Sequence, residues 1–308
     1  MNDRVPFVSV IVPVYNGERT IGNCIKSLLS LNYPSSKIEI IIVDNNSKDA
    51  TRSVIREFPV ISLVEDRIQS SYAARNTGLK KSKGEIIAFT DSDCIADKDW
   101  VLKAVECFQD ENVGCVAGRI EGYSPSNYIE EYLVKIGYLC QDTSTLKHWF
   151  HPYAQTANAI YRREVLDAIG TFEENWVSAG DSDLTWRMLL HTHYKLTYCP
   201  DSLIYHVHRS TLKGLFNQRK TWGHGEVLLY KKYKVHYHNP EKKFAKEMYR
   251  DYMEFFRLVL GTLPAMLHNK LISKNEVAFQ AKKLAMIGAL GRRVGRIRGS
   301  IREKKFYI

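Results

Sequence analysis

The chain lacks the glycine-rich loops that cradle phosphates. No Gly-x-Gly-x-x-Gly follows its first strand-like segment, and no Gly-x-x-x-x-Gly-Lys-Ser/Thr occurs anywhere. Dinucleotide and P-loop chemistry both rely on the backbone amides of such loops, so both are excluded. The six cysteines, Cys24, Cys94, Cys107, Cys115, Cys140 and Cys199, form no Cys-x-x-Cys pair, which removes zinc ribbons and thioredoxin-like redox motifs. With no secretory h-region ahead of the first strand, a reducing, cytoplasmic setting is expected. The most apolar downstream stretch, Met253 to Leu267, is interrupted by Arg257 and Pro264. It falls short of the roughly 20 apolar residues that a spanning helix needs. Internal repeats and low-complexity linkers are also missing.

What is present suits a folded α/β protein. The 308 residues are 44% apolar, enough for a sizeable core. The net charge is +10, but it is unevenly placed: residues 241–308 hold 16 Lys+Arg against 6 Asp+Glu, leaving 28 of each sign in residues 1–240. A neutral body therefore carries a basic tail.

Along the body, β-branched runs alternate with helical periodicity. Strands are expected at 7–14, 38–43, 60–64 and 85–90, with helices starting near Ile21, around 49–58 and around 70–81. Further on, the pattern predicts a helix near 100–108, a strand at 113–117, a helix at 128–139, a strand at 157–161 and a helix from Asp181. After Tyr205 it becomes helical and increasingly basic. Parallel strands need helical crossovers, so the alternation predicts a doubly wound, mostly parallel sheet with a helical C-terminal appendage. A boundary near residue 220 is expected between an α/β body, 1–220, and a basic helical region, 221–308.

Ligands of open α/β sheets sit beyond the carboxyl ends of the strands. Three polar clusters fall there: Tyr15-Asn16, Asp44-Asn45 and Asp91-Ser92-Asp93. Two carboxylates on one turn can reach a hard cation that also binds a diphosphate. A second pair, Asp181 and Asp183, opens a helix, where the helix dipole favours negative charge.

Five segments in order resemble the family 2 glycosyltransferases of the GT-A fold: Val-Ile-Val-Pro-Val-Tyr-Asn (10–16), Ile-Ile-Val-Asp-Asn-Asn-Ser (41–47), Ala-Ala-Arg-Asn-Thr-Gly (73–78), Lys-Gly-Glu-Ile-Ile-Ala-Phe-Thr-Asp-Ser-Asp (83–93) and Gly-Asp-Ser-Asp-Leu-Thr-Trp-Arg (180–187). The resemblance runs from Val8 to about Gly225. It implies an enzyme of the hexosyltransferase type that uses a nucleotide-diphosphate sugar. Pro13, Tyr15 and Asp44 would form the nucleotide pocket, with Arg75 and Asp91 on the donor. Asp93, with Asp91 beside it, would hold Mg²⁺ or Mn²⁺, and the resemblance makes His208 the candidate imidazole ligand; His206 and His208, at alternate positions, are expected to face opposite sides of a strand, so only one of them is expected to be a ligand. Asp181 takes the place of the general base, which implies inversion at the anomeric carbon. Asp183 and Arg187 fall on the acceptor side. Gly180 stands where the family has Glu, a departure on that same side.

Gln218-Arg219-Lys220-Thr221-Trp222 resembles the Gln-x-x-Arg-Trp of processive synthases, but Thr221 replaces the Arg, so transfer of one sugar to a hydroxyl of a lipid-linked or other glycan acceptor is expected. Apolar residues beside clustered cations in the tail suit an anionic membrane surface, while no nucleic-acid module is recognisable. A sugar-phosphate nucleotidyltransferase is the alternative reaction, and it would want a Gly-rich basic loop where Pro13-Val14-Tyr15-Asn16 stands. A non-catalytic, membrane-associated binding protein would not need both acidic pairs.

Overall fold

In chain order the strands and helices begin with β1 (Val8–Val14), α1 (Ile21–Leu29), β2 (Ile38–Asp44), α2 (Thr51–Ile55), β3 (Ile61–Val64), α3 (Ser71–Lys81) and β4 (Ile86–Phe89). Every residue of β1 and β4 is buried, as expected of strands covered on both faces. β2 and β4 flank β1 in parallel, and β3 adds to β2 as a half-exposed edge. Proline is tolerated inside this sheet because pairing of β1 with β4 stops at Ile11, two residues before Pro13.

The computed structural model describes residues 5–234, 246, 249–250, 252–253, 255–261, 276–305 and 307. The second stretch runs through β5 (Cys94–Ala96), α4 (Trp100–Cys107), β6 (Val113–Gly122), α5 (Tyr128–Lys135), β7 (Ala159–Arg162), α6 (Arg163–Ile169), α7 (Gly180–His191) and β8 (Lys195–His206). The eight strands form one sheet in the order β3-β2-β1-β4-β7-β6-β8-β5. β7 is antiparallel to both neighbours, β6 and β8 are parallel, and β5 returns antiparallel to β8. One apolar cluster lies on each face of the sheet.

Two strands, β5 and β8, were not expected from the sequence. β5 has only three residues, and β8 has no clean alternation because it bulges where Gly118 pairs with Cys199 but Arg119 with Leu203. The bulge is held by buried Asn158, whose Nδ2 donates to the carbonyls of Arg119 and Ser202, both at 2.8 Å, while its Oδ1 accepts from Trp100 Nε1 at 2.7 Å. The helix expected over 128–139 stops at Lys135, and Gly137 and Leu139 follow with φ of 61° and 71°. All six cysteines are free thiols.

The chain divides into two compact units. The first lies within 1–125, 133–176 and 180–208, and the second within 126–132, 177–179 and 209–308. The second contains α8 (Leu212–Tyr233) and α9 (Glu276–Arg302). These helices approach so closely that a Cβ at Gly223 would run into the Arg292 carbonyl, and one at Gly295 into that of Lys220. Glu226 lies between Arg292 Nε at 2.5 Å and Arg296 Nε at 2.7 Å, and Arg293 covers the Phe255 ring at 4.0 Å. Three of the tail's cations are thus engaged within the unit. Ile297, Arg298, Ile301, Arg302 and Lys304 remain exposed. Among the described residues no helix is long and apolar enough to cross a membrane; residues 254 and 262–267 of the apolar tail stretch lie outside them.

Candidate active site

The first two strand-end loops interlock. Asn16 and Asn46 adopt left-handed φ of 50° and 62°, a region Asn tolerates, and the turns they make are tied together. The Asn16 amide donates to Ser47 Oγ at 2.9 Å, the Gly17 amide to Thr51 Oγ1 at 2.8 Å, and the Lys48 amide to Asn16 Oδ1 at 2.8 Å. Pro13 is buried at the end of β1, while Tyr15 is 50% exposed, an open ring on the strand edge. Asp44 is buried; it accepts from the Ser47 amide and from Arg52 Nε at 2.6 Å.

The third loop joins this edge from β4. Thr90 Oγ1 anchors it on the Ala157 carbonyl at 2.9 Å, and the Cys94 amide closes the turn on the Asp91 carbonyl at 3.0 Å. Arg75, projecting from α3, is ion-paired with the Asp91 carboxylate. Its guanidinium lies over the rings of Tyr72 at 5.7 Å and Phe172 at 5.9 Å. Arg75 Nε is buried and has no hydrogen-bond partner. Such a donor is costly unless a ligand meets it, and an anionic oxygen is the group that would.

Asp93 faces a residue that the sequence did not single out as a ligand. β5 pairs with β8 so that Cys94 lies opposite His206, and the Val207 amide donates to the Asp93 carbonyl at 2.8 Å. This register brings His206 Nε2 to 3.5 Å from Asp93 Oδ1. His208 stands behind it, Nδ1 to Nδ1 at 3.2 Å. The two rings do not take opposite faces as expected, because the two-residue period of a strand puts positions two apart on one face.

Asp93, Cys94 and His206 offer ligand atoms within 4.8 Å of one another. Burial, with the charges of Asp93 and Asp91 next, pushes the Cys94 thiol well up. A protonated sulfur is a poor partner for a hard ion, so the carboxylate and the imidazole are the donors that fit Mg²⁺ or Mn²⁺.

On the other side of the site, α7 begins with Gly180 and carries Asp181 in its first turn. The Ser182 amide donates to Asp181 Oδ1 at 2.9 Å. Burial raises the Asp181 carboxyl to about 6, opposed by that amide and by Arg75, with Asp91 pushing further up. Asp181 thus lies within electrostatic reach of the Arg75–Asp91 pair, and above pH 6 it is a carboxylate. Asp183 is fully buried; it accepts from Arg187 Nε at 3.0 Å. The same guanidinium donates to the Ile169 carbonyl and, at 2.7 Å, to that of Thr171. This pair fastens the segment between α6 and α7.

The structure therefore gathers Arg75, Asp91, Asp93 and Asp181 around the carboxyl edge of the sheet, with Tyr15 and Asp44 on the neighbouring loops. His206 was legible only as one of two alternating histidines. Tyr72 carried no signal in the sequence.

Residues 9–170 match the model of a family described as Glycosyl transferase family 2. Glycosyltransferase AglE of Haloferax volcanii is 35% identical over 208 residues, covering 65% of this chain and 67% of its own. A β-monoglucosyldiacylglycerol synthase of Trichormus variabilis is 28% identical over 253 residues, 76% of this chain and 52% of its own. Among solved structures, a mannosyltransferase from Pyrobaculum calidifontis in complex with GDP-Man and Mn²⁺ superimposes with a TM-score of 0.69 at 21% identity, covering 98% of this chain and 89% of that one. The fold is the GT-A fold. Against curated relatives, the chain spans between about half and two thirds of their length.

Proposed function

Because the chain belongs to glycosyl transferase family 2, we propose that it moves one sugar, with inversion, from a nucleotide-diphosphate sugar to a hydroxyl of its acceptor. The observation that carries this is the placement of Asp181 within the field of Arg75 and Asp91, since a base and a donor site must share one space for direct displacement.

The roles follow from the chemistry of each group. Asp93 and His206 would hold a divalent ion, and an ion bound there would act as a Lewis acid that neutralises the departing diphosphate. Arg75 has an open Nε beside Asp91, which suits an anionic donor. Tyr15 offers a ring on which a base can stack, and Asp44, held by Arg52, is paired across the sheet with Val14, the residue before Tyr15. Asp181 takes the proton of the acceptor hydroxyl as its oxygen attacks the anomeric carbon from the face opposite the leaving group. The new C–O bond forms, the bond to the diphosphate oxygen breaks, and configuration inverts. Above pH 6 the carboxylate is ready for this without any prior loss of a proton.

The acceptor reading rests on the second unit. Ile297 and Ile301 are 42% and 74% exposed, and Arg298, Arg302 and Lys304 beside them are exposed too. Apolar anchors interleaved with cations suit an anionic lipid surface, and so a lipid-linked acceptor presented there. The relative named for synthesis of a glycosyldiacylglycerol fits that class.

The direct test is a thermal-shift panel of GDP-mannose, UDP-glucose and UDP-N-acetylglucosamine with and without Mn²⁺. One donor should raise Tm only with the metal. Release of nucleoside diphosphate from that donor is then measured with diacylglycerol and with polyprenol-linked saccharide as acceptors. No Mn²⁺-dependent shift with any nucleotide sugar would overturn the proposal.

A further inference from the structure

Tyr72 makes contact with both halves of the site. It sits in the first turn of α3, buried, with its ring stacked on Phe172 at 5.5 Å and 19°. Arg75 lies over this plate and holds Asp91. At the far edge of the ring the Tyr72 hydroxyl accepts the amide of Gly180, the first residue of α7, at 2.9 Å. That amide is one of the orphan donors of a helix N-terminus. The same ring leaves no room for a side chain at 180, since a Cβ there would stand 2.7 Å from both Cε1 and Cζ of Tyr72. The glycine that departs from the family's Glu is therefore explained by its neighbour: the space and the amide of position 180 are both taken by Tyr72.

Further hydrogen bonds surround it. Ser70 Oγ donates to the Trp176 carbonyl at 3.3 Å, and Asn76 exchanges hydrogen bonds with the Phe172 backbone at 2.9 and 3.0 Å. α3 is thus tied to the segment leading into α7 at three points along its length. The chain enters α7 through Ala179 at φ 67°, a left-handed conformation that a residue with a Cβ holds only where its surroundings enforce it. Burial, with the charge of Asp181 next, pushes the Tyr72 phenol up, so the hydroxyl stays protonated and is not itself a base.

We infer that Tyr72 is the positioning residue of the site: it fixes the start of α7, and with it Asp181, at a set distance from Arg75 and Asp91, and it does so only because residue 180 is glycine. This rests on Asp181 being the base. The role is mechanical, since Tyr72 orients the group that takes the proton.

Two sets of variants test it, using the donor found in the Mn²⁺ panel. Tyr72→Phe keeps the ring and removes one hydrogen bond, a change worth about tenfold. We expect kcat for nucleoside diphosphate release to fall about tenfold, donor KM to stay within about twofold, and amides 180–183 to exchange faster with deuterium. Gly180→Ala should lower kcat at least as much in the native background, yet cost less than about twofold when Tyr72→Ala has already emptied the space, because coupled neighbours are not additive. A Tyr72→Phe protein with unchanged kcat and unchanged exchange would overturn the inference, as would a Gly180→Ala cost that is the same in both backgrounds. If Asp181→Asn is inactive while Tyr72→Phe is native-like, the positioning role alone fails. If Asp181→Asn is fully active, the base assignment itself fails.

Discussion

The same tripeptide, Asp-Ser-Asp, occurs twice in the site, at 91–93 and at 181–183, and the two copies are built in opposite ways. The first lies on an open turn beyond β4. Both its carboxylates stay partly exposed, one on Arg75 and the other beside His206. The second opens a helix and splits its labour. Asp183 is sealed inside with Arg187 as a structural clasp, and Asp181 is left half-buried without a cation of its own, so desolvation raises its carboxyl to about 6. In the proposed roles, identical residues would serve as a ligand pair in one place and as a base with its support in the other. Environment, not sequence, assigns the roles.

That contrast predicts where each pair breaks. The largest effect is expected from Asp181→Asn, which should lower transfer by about 10³-fold while leaving the fold intact. In the native enzyme kcat/KM should rise with pH through about 6 and level off above pH 7, because the proton on Asp181 must leave before the acceptor's can arrive. A limb centred below pH 4.5 would remove Asp181 from the base role. The raised carboxyl has a thermodynamic sign as well. The unfolded chain ionises it near 4, so its contribution to stability is lost as pH rises from about 4 through 6. Asp181→Asn should therefore melt higher than the native protein at pH 7, on the order of 2 kcal/mol, and no higher at pH 3.5.

Asp183→Asn should do the reverse. It leaves Arg187 without its buried anion, so a loss of about 3 kcal/mol in stability is expected from denaturant unfolding. Equal melting of Asp183→Asn and native protein would mean that the clasp is not structural. The smallest expected effect belongs to His206→Ala: about 10- to 100-fold weaker Mn²⁺ dependence, comparable to losing a supporting metal contact, with transfer recoverable at high metal. If His208→Ala has that effect and His206→Ala has none, the imidazole beside Asp93 has been misassigned.

The sequence made the first half of this site readable and the second half opaque, for a physical reason. β1, β2 and β4 are parallel and buried on both faces, so each is a near-continuous apolar run that ends in a polar cluster, and Tyr15, Asp44 and Asp91-Asp93 could be read off those ends. β5 is too short and β8 too irregular in its alternation to be read from the sequence, and His206 is placed by their pairing across more than a hundred residues. Likewise Gly180 looked like a missing glutamate until Tyr72, 108 positions earlier, was found filling its space. The basic tail was visible as charge, but the pairing of Arg292 and Arg296 with Glu226, which decides how much of that charge is free, was not.

The division between the two Asp-Ser-Asp copies is tested most directly by calorimetric titration of Asp93→Ala and Asp181→Asn with the donor nucleotide sugar in Mn²⁺. Asp181→Asn should bind the donor within about twofold of the native affinity, and Asp93→Ala should lose the Mn²⁺-dependent part of binding altogether. Native donor affinity in Asp93→Ala, or lost affinity in Asp181→Asn, would contradict it.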